Sequence, residues 1–361
     1  MLKLYQNCIL TARFFCSAGP FCGFRVHFRQ TGVRRRHANN ERPMIARLLQ
    51  FFLVLQVLAA AACAALWATL WPAAPWWFDI ALGVLCVLLL RLLITAQNFT
   101  LSYCYRSQTP TPFALPWRAR CRMFATECSS SLLASSWSMA WPAPVCGPAN
   151  TGTIDAPVLL VHGYGCNRGY WSQLSVRLTG AGIEHQALDL APPGVSIDDF
   201  VPQLAAAITR LCLGEDRQVI LVAHSMGGLV ARAYLRMHGA ARVARLITLA
   251  TPHHGTVLAR FGIGVSARQM RRHGAGAHAV PSDWLVALAG SETVARRALI
   301  TSLYSHHDNI VAPQTSAVLD GARNIAFAGI GHVAMGRSPS VLQCVLTEIA
   351  DVNGDGAAPA R

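Results

Sequence analysis

The hydrophobic pattern of the first hundred residues is continuous rather than periodic. Residues 48–71 form a run of 24 positions without a charged side chain, and residues 80–96 form a second apolar run that only Arg91 interrupts. A helix of about 20 apolar residues crosses a bilayer core of about 30 Å. We therefore predict two transmembrane helices, about 48–71 and 80–96, within a membrane region 44–99. Arg91 is expected to reach towards an interface.

From about residue 153 the pattern changes to short apolar runs separated by amphipathic segments. Strands that alternate with helices indicate βαβ units and a mainly parallel sheet flanked by helices. We predict one α/β domain over residues 153–355. Its predicted strands are 156–162, 184–190, 219–223, 245–250, 298–304 and 324–328, and a helix over 341–352 closes it.

Two segments lack clear periodicity. Residues 1–43 form a basic N-terminal tail, whose composition a transit peptide would share. The interpretation that we favour is a poorly ordered tail, or a start assigned too early, with Met44 as the true first residue. Residues 100–152 form a connecting region rich in Ser, Pro and Trp. We expect it to be helical around 117–137, and its sequence shows no chemistry.

The charge pattern indicates a topology. Arginines flank the two apolar runs, whereas the loop between them holds only Asp79. By the positive-inside rule both ends of the hairpin lie in the cytoplasm, so the expected location is a bacterial inner membrane with a cytoplasmic domain. If the second run does not span, the domain moves to the other side.

Composition narrows the possible partners. The net charge of +14 is concentrated at the N-terminus, which fits anionic lipid headgroups, and no nucleic-acid-binding motif accompanies it. The twelve cysteines form no CxxC pair, so zinc ligation has no support, and we identify no metal ligands in the sequence; a structural calcium stays open. Scattered cysteines favour reduced thiols on a cytosolic face. The oligomeric state stays open.

The strongest candidate for chemistry is Ser225. It follows the apolar strand 219–223 and precedes a predicted helix over 229–238, with the small residues Ala223 and Gly227 on either side. Strand, sharp turn and helix is the setting of a nucleophile elbow, in which the turn exposes a serine hydroxyl. Ala223 departs from the usual glycine by one methyl group.

A serine nucleophile needs a base, and the base needs an acid that orients it. In this architecture the acid and the histidine follow the serine along the chain. Asp308 comes directly after a predicted strand, and His332 lies between the last strand and the final helix, after glycines that let the loop turn. We expect Asp308 to be the acid and His332 the base.

Two backbone N–H groups are needed to stabilise an oxyanion. One is expected from Met226, the residue after the serine. The other is expected from Tyr164, in the His162-Gly-Tyr-Gly165 loop after the first strand of the domain.

Together these motifs, with Thr251-Pro-His-His-Gly-Thr256, resemble the α/β-hydrolase superfamily, specifically its bacterial triacylglycerol lipase and esterase branch. The resemblance covers roughly residues 155–350. It implies an α/β-hydrolase fold, ester hydrolysis through an acyl-enzyme and no cofactor. It assigns Ser225 as nucleophile, Asp308 as acid and His332 as base. The candidate substrate-binding residues are His162, Gly163, His224 and His253.

The sequence leaves the reaction partly open. Residues 256–296 lie where lipases carry a lid, although an inert insertion would have the same pattern. We expect hydrolysis of lipid-like acyl esters near a membrane. An acyltransferase or deacylase with the same triad, or an inactive membrane-anchored scaffold, are the alternatives. The apolar hairpin is foreign to secreted lipases, which puts extracellular fat digestion in doubt.

Overall fold

The structure is a computed structural model that describes residues 43–147, 156–212, 217–273 and 279–354. The predicted basic tail, 1–43, lies outside the described residues except for Pro43. The first described elements are two long helices, α1 (Met44–Leu70) and α2 (Trp76–Cys104), which pack as a hairpin. Their mean hydropathies are 2.2 and 2.3, and both are long enough to cross a bilayer. The predicted hairpin of apolar helices is confirmed.

Polar contacts join the hairpin to the rest of the chain. The Gln50 amide donates to the Ala140 carbonyl at 2.7 Å. The Arg91 guanidinium donates to Gln56 of α1 at 2.7 Å and to Ser135 at 3.1 Å. Arg91 therefore has protein partners instead of extending freely towards an interface, as is usual for a cation within an apolar helix.

The connecting region contains the predicted helix. Helix α3 (Trp117–Leu133) continues into a wider turn at Ala134–Ser138. It packs along α2, where the Phe99 and Phe124 rings lie 5.7 Å apart. The region is thus part of the folded body, and its helix reaches the loops at the end of the sheet.

The domain is built on a six-stranded sheet in which every pairing is parallel. The strand order is β2-β1-β3-β4-β7-β8. Parallel sheets are covered on both faces, which explains the almost uninterrupted apolar strands. The strands are β1 (Val158–Val161), β2 (His185–Leu188), β3 (Val219–His224), β4 (Val243–Leu249), β7 (Ile300–Ser305) and β8 (Arg323–Phe327); β5 (Arg272–His273) and β6 (Val280–Pro281) form a separate antiparallel pair.

Helices cover both faces of the sheet. Leu159 and Leu221 point into one apolar cluster, and their neighbours Leu160 and Val222 point into the other. This alternation follows from the two-residue period of a strand. The helices of the domain are α4 (Ser172–Gly180), α5 (Val201–Cys212), α6 (Met226–His238), α7 (Val265–Gln269), α8 (Asp283–Gly290), α9 (Val294–Ala298) and α10 (Pro339–Gly354).

This architecture decides where chemistry can occur. The loops after β1, β3, β7 and β8 all leave the carboxyl ends of parallel strands, so they emerge at one edge of the sheet. Such an edge is where open α/β sheets bind their ligands. The predicted parallel sheet is confirmed. Ala298 ends α9, and β7 begins two residues later than predicted.

Candidate active site

Ser225 occupies a strained turn between β3 and α6. Its backbone angles are φ 53° and ψ −124°, a region that residues other than glycine rarely adopt. Two hydrogen bonds hold the turn: Ser225 N donates to Leu249 O at 2.9 Å, and Thr251 Oγ1 donates to Ser225 O at 3.0 Å. The surrounding structure thus keeps the serine in the conformation that a nucleophile elbow requires.

Small residues let the neighbouring loop approach this turn. A Cβ atom on Gly163 would lie 2.9 Å from the Ser225 Cβ, closer than real Cβ contacts permit. Glycine at this position therefore lets the loop after β1 lie directly against the serine. Ala223, in place of the usual glycine, is completely buried at the end of β3 and fits without disrupting the elbow.

Asp308 and His332 form a buried pair. His332 Nδ1 lies 2.9 Å from Asp308 Oδ2. The other carboxylate oxygen, Oδ1, accepts from the backbone N–H groups of Ile310 and Val311, both at 2.7 Å. The carboxylate thus holds the proton on Nδ1 and leaves Nε2 free to accept one, as a general base must. Among the described hydrogen bonds none involves Ser225 Oγ; such contacts are often long before substrate binds.

The charge environment favours the protonated form of His332. Burial acts to lower the pKa of this histidine, but the charge and hydrogen bond of Asp308 and the charge of Glu127 together raise it above its ordinary value. The surroundings of His332 therefore stabilise its imidazolium form.

Glu127 belongs to the site although it lies in α3, in the connecting region. Its two carboxylate oxygens accept from the backbone N–H groups of Val333 and Ala334, at 3.0 and 2.9 Å. A Cβ on Gly331 would come within 2.4 Å of Glu127 Oε2, so only glycine leaves room for the carboxylate. Burial raises the pKa of Glu127. The sequence of region 100–152 showed no chemistry; in the structure this carboxylate holds the loop that bears His332.

The expected oxyanion donors lie on either side of Ser225. Met226 is the first residue of α6, where backbone N–H groups have no intrahelical acceptor. Tyr164 follows Gly163, and its hydroxyl donates to Ile263 O at 2.8 Å and accepts from Ile263 N at 2.9 Å. The Tyr164 side chain thus ties the loop after β1 to the segment 256–296.

Two of the predicted substrate-binding histidines position other parts of the site. His162 is buried; its Nε2 accepts from Leu190 N at 3.0 Å, so Nδ1 donates to Gly163 O at 2.9 Å. His224 is also buried, and its ring stacks on Tyr170 at 4.2 Å and contacts the His332 carbonyl through Nε2 at 3.2 Å. Burial and the charge of His332 hold the pKa of His224 well below its ordinary value. Both rings support loops.

His253 has the contacts of a core histidine. Its Nε2 lies near Thr248 Oγ1 and Ser302 Oγ, at 3.2 and 3.3 Å, and its Nδ1 faces Arg232 at 3.3 Å. Arg232 is completely buried and pairs with Glu292 at 2.6 Å. Because protein atoms occupy both ring nitrogens, we leave His253 out of the proposed substrate site.

One cysteine lies beside the loop that follows β1. Burial raises the pKa of the Cys166 thiol, beside the oxyanion loop, to about 12, which keeps it protonated and unreactive. Within the described ranges, no group of three or more His, Cys, Asp or Glu side chains is arranged to hold a metal ion.

Comparisons with known proteins support the class of this domain. A family model described as a PGAP1-like alpha/beta domain matches residues 195–335, a range that includes Ser225, Asp308 and His332. The domain has an α/β-hydrolase-like fold, part of which is similar to this PGAP1-like model, and a hairpin of two apolar helices precedes it. A search of curated protein sequences finds no match.

Solved structures resemble the chain in fold. The mature lipase BlEst2 of Bacillus licheniformis is 20% identical, with 56% of this chain and 96% of that chain covered and a TM-score of 0.47. A thermophilic esterase from Thermogutta terrifontis is 20% identical, with 60% and 97% covered and a TM-score of 0.41. Aspergillus fumigatus lipase B is 18% identical, with 59% and 60% covered and a TM-score of 0.48. These likenesses concern the fold alone.

Proposed function

We propose that the protein is a membrane-anchored serine hydrolase that cleaves carboxylic esters of lipid-like substrates through an acyl-enzyme. The observation that carries this proposal is the buried pair of Asp308 and His332, 2.9 Å apart, at the sheet edge that also bears Ser225 in its strained turn. A hydroxyl, a neutral imidazole and an orienting carboxylate are the groups that acyl transfer needs.

The proposed reaction has two halves. Ser225 Oγ attacks the ester carbonyl while His332 Nε2 takes its proton, and the amides of Met226 and Tyr164 bind the resulting oxyanion. The intermediate collapses, the bond to the alcohol breaks, and the imidazolium gives its proton to the leaving oxygen. A water molecule then attacks the acyl-enzyme with His332 as base, which releases the acid and restores Ser225.

A lipid-like substrate is supported by what surrounds the site. Ile45, at the start of α1, lines the same crevice as Gly163, Tyr164 and Met226. In the segment 256–296, the apolar side chains of Phe261 and Ile263 are exposed. The first turn of α1 and an exposed apolar segment thus lie beside one crevice, which suits a substrate that enters from a membrane. In this proposal the segment 256–296 is a lid.

The anchoring proposal has its own support and its own test. Both helices expose apolar side chains along most of their length, as lipid-facing helices do. We place the hydrolase domain in the cytoplasm, beneath a bacterial inner membrane, from the arginines at both ends of the hairpin. A reporter that is active only in the periplasm, fused after residue 104, should be inactive; an active fusion would reject this topology.

Active-site labelling tests the enzyme proposal. A fluorophosphonate probe should label the wild-type chain, and Ser225→Ala should abolish labelling because the probe reacts with the activated serine. Ser340→Ala, an exposed serine on α10, is the matched control and should label normally. A wild-type chain that stays unlabelled, or labelling that persists in Ser225→Ala, would reject the proposal in favour of an inactive scaffold.

Product analysis separates hydrolysis from acyl transfer. Nitrophenyl esters of increasing chain length should be cleaved to free acids, with the longer chains preferred. If an added alcohol or amine acceptor receives most of the acyl group in water, the same triad serves an acyltransferase instead.

A further inference from the structure

A second cavity lies beside the hydrolase site and has a different chemical character. Its volume is about 500 Å³, within the usual range for small-molecule sites. It shares Asp308 with the site, but neither Ser225 nor His332 lines it. Its polar lining includes Ser102, Arg106, Ser107, Arg120, His306 and His307.

The cavity is basic. Within the described part of the chain, neither Arg106 nor Arg120 pairs with a carboxylate. The Arg106 guanidinium lies 3.8 Å from the Tyr103 ring centroid. Among the described hydrogen bonds, Arg120 donates only through Nε, to Leu115 O at 3.1 Å. The carboxylate of Asp308 is already engaged by His332 and two backbone amides. Guanidinium donors are therefore left for an anion.

His306 supplies a second, independent indication of a ligand. Its side chain lines the cavity with only 8% of the residue exposed, and its Nδ1 is buried with no hydrogen-bond partner among the described residues. The ring packs against Phe113, whose centroid lies 4.5 Å away. A buried polar atom without a partner is costly, so His306 would gain from a ring rotation that brings Nδ1 to an oxygen atom of a bound group.

The cationic groups of the cavity crowd one another. His307 Nδ1 accepts from Gly329 N at 3.2 Å, which leaves its proton on Nε2. Burial, followed by the charges of His306, Arg120 and Arg106, lowers the pKa of His307 to about 4. An anion bound here would offset the positive charges of the two arginines.

The position of the cavity indicates the source of the anion. Phe99, Ser102 and Tyr103, in the last turns of α2, form one wall. With 29 residues, α2 is about 43 Å long, which equals the roughly 40–45 Å of a bilayer with its headgroups. If α2 spans the membrane, the cavity lies at the level of the lipid phosphates. Phe99, Leu115 and Met123 give it an apolar side as well.

We propose that this cavity binds the phosphate group of a membrane phospholipid, through Arg106, Arg120 and His306. This is a ligand site beyond the proposed ester hydrolysis, because the residues that bind here differ from those that react. Two residues of the cavity lining nevertheless contact the backbone of Asp308. Ser102 Oγ and Gln314 Nε2 donate to the Asp308 carbonyl at 2.7 and 2.8 Å. A free phosphate is the other source of the same chemistry.

Binding to the purified full chain in a neutral detergent tests the proposal. The probe is a dioctyl ether analogue of phosphatidic acid, which has no ester to cleave. It should bind saturably, and the same ether lipid without phosphate should not. Arg106→Gln and Arg120→Gln should each weaken the Kd by at least about tenfold, as the loss of a charge-assisted hydrogen bond implies. Arg122→Gln, on the same helix but outside the cavity, should stay within about twofold.

Further measurements test the folding of the variants, the role of charge in the cavity and the source of the phosphate. Thermal unfolding shows whether each variant is folded, and Thr109→Glu, which places a carboxylate in the lining, should abolish binding by repulsion. Inorganic phosphate that competes as well as the lipid would overturn the lipid source. Absence of saturable binding in the wild type, or unchanged affinity in both arginine variants, would overturn the site. None of these readouts requires ester hydrolysis, so they stand apart from the labelling of Ser225.

Discussion

The carboxylate of Glu127 accepts a hydrogen bond of 2.9 Å from the backbone N–H of Ala334, which lies 207 positions later in the chain. Glu127 belongs to the helix that packs along α2, and Ala334 belongs to the short turn that carries the proposed base. The helical region that follows the apolar hairpin is therefore part of the support of the candidate active site.

We expect Glu127→Gln to lower kcat without a comparable change in KM. The amide keeps one acceptor oxygen but turns an N–H donor towards a backbone N–H, so one buried donor loses its partner. Such a loss costs about 1–3 kcal/mol, and we expect kcat to fall roughly tenfold as the His332 loop shifts. Steady-state hydrolysis of a nitrophenyl ester measures this effect. An unchanged kcat would mean that the loop holds its position without Glu127.

Glu348→Gln is the matched control for this variant. Glu348 is as buried as Glu127 and accepts from Thr301 Oγ1 at 2.9 Å, but it lies on α10. We expect it to lower the melting temperature without lowering kcat in the surviving folded protein. Equal losses of kcat in the two variants would indicate that general instability explains both.

The pH dependence of the reaction should report His332. The base must be neutral to accept a proton, and the neighbouring carboxylates raise its pKa above the ordinary value of about 6.5. We therefore expect kcat/KM to fall as the pH is lowered, with an apparent pKa above that value. In Glu127→Gln a negative charge near the imidazolium is gone, so this pKa should decrease and the acidic limb should move to lower pH. A limb that stays in place would contradict the electrostatic role of Glu127.

Much of the fold could be predicted because local patterns determine it. The apolar run 219–223 is long enough for one buried strand, and in the structure β3 occupies it with one further residue, His224. The order of strand, serine, helix, aspartate and histidine likewise follows from the sequence alone. Boundaries were less predictable: Ala298 is the last residue of α9, a short helix that begins after Thr293, whose side chain accepts from Arg296 N.

The supporting residues of the site could not be predicted in the same way. Nothing in the sequence around Glu127 indicates a partner two hundred positions away, since the contact exists only after α3 has packed on α2. His253 shows the converse. Its motif is typical of lipases, but its contacts make it a core residue. Beside it lies the buried ion pair of Arg232 and Glu292, whose two residues are 60 positions apart in the sequence. Gly331 lies against the Glu127 carboxylate, where a side chain would not fit. The need for glycine at this position can be recognised only in the folded structure.

We expect Asp308→Asn to reduce kcat by roughly 10³–10⁴, mainly through the wrong histidine tautomer. The two backbone N–H groups of Ile310 and Val311 require an oxygen, so the new amide should keep its oxygen there. Its NH₂ group then faces His332 Nδ1, which must accept, and the ring proton moves to Nε2. That nitrogen can no longer take the serine proton. Ester hydrolysis measures the loss.

Asp320→Asn is the control for this substitution, because Asp320 is exposed and lies outside the described contacts of His332. It should keep kcat within about twofold, as surface substitutions usually have small effects. A similar loss in both variants, or a loss in Asp308→Asn that a lower pH reverses, would contradict the tautomer argument.

We expect Tyr164→Phe to impair the cleavage of long-chain esters more than that of short-chain esters. The hydroxyl makes two hydrogen bonds to Ile263, and each such bond contributes about 0.5–1.5 kcal/mol. Without them the segment 256–296 is held less firmly over the crevice, whereas the backbone N–H that would bind the oxyanion remains. For long chains, kcat/KM should decrease roughly three- to tenfold, and for acetyl esters it should stay within about twofold.

Tyr304→Phe is the matched control, since the Tyr304 hydroxyl makes none of the described hydrogen bonds and the ring lies in β7. It should leave the chain-length preference unchanged. If Tyr164→Phe lowers the cleavage of acetyl and long-chain esters by the same factor, the side chain acts on the oxyanion loop itself. In that case the segment 256–296 is an inert insertion, because a lid that contacts only a long acyl chain cannot affect an acetyl ester.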